Sequence, residues 1–177
     1  DAKSMAGTQA TVAFGDFAQK KIIQQHSSVK DFESKYDETF VRVGANTATD
    51  KQIMASIVDE NGNRAEWNLT IEKKWSFNAM GWAMSKPGLL NIYWYPAQAD
   101  AVMSGEIMVN GEYIKLDRAP AYQDRNWGTS FPPWWAWIVS NNFKDSPGTV
   151  LASGGGRPSV LGKVSPYEGL SIGLLHE

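Results

Sequence analysis

The chain has 177 residues, 42% hydrophobic and 20% charged, with a formal net charge of −2, which is the profile of one folded domain with a real core. That balance gives no electrostatic reason to expect nucleic acid or an anionic membrane as a partner, and no apolar run approaches the roughly 18 residues of a membrane-spanning helix. The absence of cysteine excludes disulfide frameworks, thiolate metal sites and cysteine nucleophiles, and His26 and His176, far apart in sequence, give little support to a metal site or a catalytic triad.

In chain order, the opening Asp1-Ala2-Lys3-Ser4 shows no signal-peptide pattern and reads as a cut or processed end. Residues 10–14 and 39–43 carry weak strand signals. Residues 27–36 (SSVKDFESKY) fit either a short helix with a serine cap or another strand. Residues 52–59 and 65–73 read as a hairpin around Asn61-Gly62, with Trp67, Leu69 and Ile71 alternating against Asn68, Thr70 and Glu72. Residues 89–95 (LLNIYWY) form a third strand, closed by Pro96. Residues 102–109 and 112–116 form a second hairpin around Asn110-Gly111, a pair suited to a turn whose two central residues both need φ > 0. Residues 134–142 are a strand after Pro132-Pro133, and 149–153 and 170–176 are two more. Gly154-Gly155-Gly156 reads as a loop. It is no phosphate cradle, because no Lys-Ser/Thr pair follows.

Aromatic and β-branched strands separated by frequent turns predict an all-β fold over 1–177, an antiparallel meander forming a lipocalin-like barrel or sandwich. The last strand stops with no turn and no partner in view. A partner strand would then come from the rest of a longer polypeptide or from another subunit.

The stretch 121–143 (AYQDRNWGTSFPPWWAWIVSNNF) carries the functional signal. As a strand, it puts Trp135, Trp137, Val139 and Asn141 on one face. The bland reading is core filling, since each indole buries on the order of 200 Å². The sharper one is an apolar pocket holding an acid. Asp124 either pairs with Arg125 or caps a turn, or else faces an apolar cavity and serves as a general acid. Trp127 would offer its π face to a developing cation, and Asn126 would orient a substrate oxygen or satisfy backbone groups.

This stretch resembles the tocopherol cyclase family, at Ala121, Tyr122, Asn126, Trp127, Gly128, Phe131, Pro132, Trp135, Trp137, Asn141 and Phe143. Gly81-Trp82 is similar to a Gly-Trp-Gly segment of that family, and 152–157, Leu161-Gly162 and Tyr167-Glu168 to its glycine-rich C-terminal run. A looser Tyr-x-Asp-x-x-Trp-Gly pattern is shared with carotenoid hydratase-like proteins. The resemblance implies a lipocalin-like fold for a hydrophobic, often prenylated, small molecule, and a cyclase or isomerase that needs no redox cofactor and no metal. It implies Asp124 and Asn126 as catalytic residues, and Tyr122, Trp127, Trp135, Trp137, Asn141 and Trp82 as substrate-binding. Departures from the pattern are Asp124-Arg125 for Glu-Lys, Val139 for a Gln, and Pro133-Trp134 for basic residues. Two other readings stand beside it: a non-catalytic carrier that needs the aromatic pocket but not the acid, and a structural β domain with no ligand-sized cavity.

Overall fold

The structure, a computed structural model, describes residues 7–176. The opening residues and Glu177 lie outside it, so the reading of the N-terminal end is not addressed. The chain is all-β, with two short 3-10 turns, Val29–Asp31 and Gly81–Ser85, among the described residues. No helix there is long and apolar enough to cross a membrane.

The strands are β1 (Gln9–Asp16), β2 (Lys21–Ser28), β3 (Phe32–Ser34), β4 (Phe40–Val43), β5 (Asn46–Thr49), β6 (Gln52–Val58), β7 (Arg64–Trp75), β8 (Ile92–Val109), β9 (Glu112–Gly128), β10 (Trp135–Ser140), β11 (Val150–Gly156), β12 (Ser159–Val160), β13 (Lys163–Val164) and β14 (Gly169–Leu175). β3 to β9 pair in chain order as one seven-stranded sheet, the predicted meander. β1–β2 and β12–β13 are separate hairpins, and β10, β11 and β14 form a three-stranded sheet in that order. Among the described residues no pairing closes a sheet into a barrel.

Two compact units divide the chain. One takes the chain up to Glu72 with Met103–Ala119, and the other takes Lys73–Val102 with the chain from Pro120. The first unit buries Ile23, Ile57 and Ala65 against Val12, Phe14, Trp67 and Val109. Its two Asn-Gly pairs turn differently. Asn110 (φ 51°) and Gly111 (φ 90°) both adopt positive φ, making the two-residue hairpin the sequence predicts. At Asn61-Gly62 only Gly62 is positive (φ 81°). There Asp59 closes a longer loop by accepting from the Asn61 and Asn63 amides, both at 2.9 Å. The segment 27–36 resolves into both alternatives: Ser28 caps a single 3-10 turn by accepting from the Lys30 amide, and β3 follows.

The second unit packs Trp94, Ala99, Val150 and Ala152 with Trp75, Phe77, Ala79, Tyr122, Val139 and Leu175. Four local expectations change here. Pro96 does not close a strand. It is buried inside β8, its carbonyl accepting from the Phe77 amide at 3.2 Å. The 154–156 glycines are not a loop but the end of β11, where bare backbone is what the neighbours leave room for. A Cβ on Gly154 would stand 2.8 Å from the Trp94 ring, and one on Gly155 2.3 Å from the Gly169 carbonyl oxygen. The C-terminal strand has a partner after all: β14 pairs antiparallel with β11 from Gly156↔Gly169 to Val150↔Leu175. Its Gly173 is overlaid by the Phe77 ring, 2.8 Å from where a Cβ would sit. Finally, the strand expected over 134–142 is β10, Trp135–Ser140.

Candidate functional site

The second unit contains a concave pocket of about 580 Å³, a volume suited to a drug-sized ligand. Its walls are Leu90, Ile92 and Trp94 of the β8 region, Phe131 and Pro132 before β10, Trp135 to Trp137 on β10, the β11 glycines, and Leu170 and Ser171 on β14. Ala79, Met80 and Ala83 complete it around the second 3-10 turn. Trp135 and Trp137 are 58% and 45% exposed. They therefore do not fill a core; they stand as walls, with Phe131 tilted against Trp135 at 6.2 Å.

Strand periodicity decides which parts of the 121–128 motif reach the pocket. The sequence places these residues before a strand, but they are the end of β9 itself. Side chains two apart therefore share a face. Tyr122, Asp124 and Asn126 fall on one face, and Asp124 and Asn126 line the pocket. Arg125 and Trp127 fall on the other. The Arg125 guanidinium lies 5.1 Å over the Trp127 ring, and Tyr93 stacks on the same ring at 5.5 Å. The same alternation on β8 sends Trp94 to Asp124 and Tyr93 to Trp127.

Asp124 is the one titratable side chain among the described lining residues. Its Oδ2 accepts from Trp94 Nε1 at 2.8 Å and from Tyr122 OH at 3.0 Å. Tyr122 also meets Trp137 edge-on at 5.8 Å. Burial, and then the charge of Asp124, push the Tyr122 hydroxyl well above the ordinary phenol range. That phenol therefore stays protonated and keeps donating.

Of the residues read from the sequence, the structure gathers Asp124, Asn126, Trp135 and Trp137 around one cavity, with Tyr122 directly behind the acid. Asn141 stands outside it, donating to Asp100 Oδ1 at 3.1 Å and to the Ala121 carbonyl at 2.6 Å. That fastens the end of β10 to the start of the motif. Trp127 and Trp82 are not among the lining residues either. Trp82 is 73% exposed on the 3-10 turn whose Ala83 does reach the pocket.

Two residues go unnoticed in the sequence. Trp94 was within reach, because alternation along 90–94 puts Leu90, Ile92 and Trp94 on one face, and all three line the pocket. Asn91, 8% exposed, pins the pocket's end. Its Nδ2 donates to the Ser130 carbonyl at 2.9 Å, its Oδ1 accepts from the Ser159 amide at 2.6 Å, and its own carbonyl accepts from the Thr129 amide at 2.8 Å. A lone Asn in an apolar strand carries no pattern that announces such a hub.

The profile of the family described as Tocopherol cyclase-like matches residues 1–176. The chain belongs to the tocopherol cyclase-like family. Among curated relatives, it is 30% identical over 96 residues to a probable chloroplastic tocopherol cyclase of Oryza sativa subsp. japonica, covering 54% of this chain and 20% of that protein. It is 30% identical over 104 residues to a chloroplastic tocopherol cyclase of Zea mays, covering 59% of this chain and 22% of that protein. The match thus spans about a fifth of the length of either relative. No solved structure matches the chain.

Proposed function

We propose that this member of the tocopherol cyclase-like family binds an apolar isoprenoid or polyketide-like small molecule in the second unit's pocket, and acts on it by acid-assisted cyclisation, isomerisation or hydration. The observation that carries this reading is a single carboxyl, Asp124, set among aromatic and aliphatic walls. In its protonated form Asp124 gives its proton to a substrate double bond. Trp135 and Trp137 flank the resulting carbocation with their π faces. A phenol oxygen, the loss of a neighbouring proton, or water then ends the reaction, and each course returns a proton to the carboxylate. Asn126 supplies an amide beside Asp124 that orients a substrate oxygen. Nothing is oxidised or reduced overall, in keeping with the cofactor-free chemistry the family resemblance implies.

A carrier function is the second reading. It is favoured by the two protein hydrogen bonds that Asp124 already accepts, since an acid so engaged also serves as a plain structural acceptor. Asp124→Asn separates the two readings. The amide oxygen still accepts from Trp94 and Tyr122, so the pocket keeps its shape, but there is no acidic proton to give. With a farnesylated hydroquinone as probe, we expect chromanol formation, followed by mass spectrometry, to fall by about 10²–10⁴-fold, while binding stays within about threefold of wild type. Turnover by the variant equal to wild type would remove Asp124 from the chemistry. Binding without turnover by either protein would favour the carrier.

A further inference from the structure

We infer that Trp94 is a positioning residue for the acid, and that Gly154 is the vacancy that lets it act. The inference rests on the reading of Asp124 as the group that faces the ligand. Both protein donors to Asp124 converge on one oxygen: Trp94 Nε1 and Tyr122 OH meet Oδ2, and among the described residues none donates to Oδ1. A carboxyl held this way has distinct oxygens. Oδ2 is turned to the protein and stabilised as charge appears on it, and Oδ1 is left to hold and deliver the proton. Tyr122 sits two residues along the same strand and follows its backbone. Trp94 comes from β8, so its grip fixes the carboxyl against a second strand.

The indole reaches that position only because β11 makes room. Its inward face narrows along the strand from Val150 (2% exposed) through Ala152 (0%) to Gly154. At Gly154 the six-membered edge of the Trp94 ring lies on bare backbone, with Cζ3, Cε3 and Cη2 at 2.8, 3.0 and 3.2 Å from where a Cβ would stand. Gly154 is paired with Trp137 on one side and Ser171 on the other, and both line the pocket. Any side chain at 154 would lift the indole and draw its N–H away from Asp124.

The test is a double-mutant cycle on the full chain, read as kcat and KM with the farnesylated hydroquinone and as thermal melts. Trp94→Phe keeps an aromatic ring but removes the donor. Gly154→Ala keeps the donor but displaces the ring. Each is expected to lower kcat by about tenfold or more with KM within about threefold of wild type. The double variant is expected to fall no further than the worse single one, because both changes break the same contact. A Trp94→Phe protein with wild-type kcat would overturn the positioning role while leaving Asp124 in place. So would one whose loss lies in KM alone, since that describes a wall and not a positioner. Multiplying losses in the double variant would uncouple Gly154 from Trp94 and also overturn the inference. If Gly154→Ala does not fold, the kcat and KM of Trp94→Phe decide alone. No turnover by wild type would sink the reading of Asp124 and this inference with it.

Discussion

At the scale of single residues, Tyr122 holds Asp124 through one hydrogen bond of 3.0 Å. Tyr122 donates to Asp124, and burial together with that carboxylate raises its folded pKa above the 10.0 of a free phenol. The unfolded chain therefore releases this proton first as pH rises. The stability that Tyr122 contributes is complete below pH 10.0 and is lost progressively as pH climbs towards the folded value. Tyr122→Phe has no proton to lose there. Between about pH 9 and pH 11, its unfolding free energy is expected to decline less steeply than that of wild type in urea titrations. Parallel slopes would show that Tyr122 ionises alike in both states. The same residues explain why Trp127 stands apart from the acid it neighbours in sequence. An odd spacing from Asp124 along a strand turns its ring to the other face, towards Tyr93 and Arg125.

At the scale of elements, the pocket is held open at one end by Asn91. It ties the start of β8 to Ser130 beyond β9 and to Ser159 at the start of β12. Asn91→Ala leaves the Ser159 amide and the Ser130 carbonyl without their partner. We expect a loss of about 2 kcal/mol in stability and weaker binding of the farnesylated hydroquinone. A melt within about one degree of wild type would count against the hub. Gly128 ends β9 at φ 155°, with the Asn91 carbonyl oxygen 2.1 Å from where its Cβ would be. Gly128→Ala is expected to cost at least about 2 kcal/mol, measurable in the same melts. A stable Gly128→Ala protein would mean that the two strands separate easily.

These elements also show what a sequence can disclose. The Asn110-Gly111 hairpin and the alternation around Trp67 were legible because turn chemistry and period-two burial are local. Asp124 and the tryptophans of 135–137 were legible as a cluster. The 154–156 glycines were not, because a glycine run reads as a loop until the rings that lie over it are known. Pro96 likewise reads as a strand end, yet β8 runs through it. The partner of β14 lies on β11, beyond the β12–β13 hairpin, and no local pattern records a pairing across an intervening hairpin.

At the scale of the whole molecule, the family is shown by a match along nearly the full chain, and the second unit by itself holds every residue of the pocket. We propose that this pocket receives an apolar small molecule around Asp124, the one acid among its described lining residues. The most direct measurement is native mass spectrometry of the purified chain, first as isolated and then titrated with the farnesylated hydroquinone, with hydroquinone lacking the prenyl chain as control. The expected result is a one-to-one adduct with the prenylated probe, or with an isoprenoid recovered by organic extraction, and none with the control. A chain that stays free of ligand across the titration, or that binds both probes alike, would contradict it.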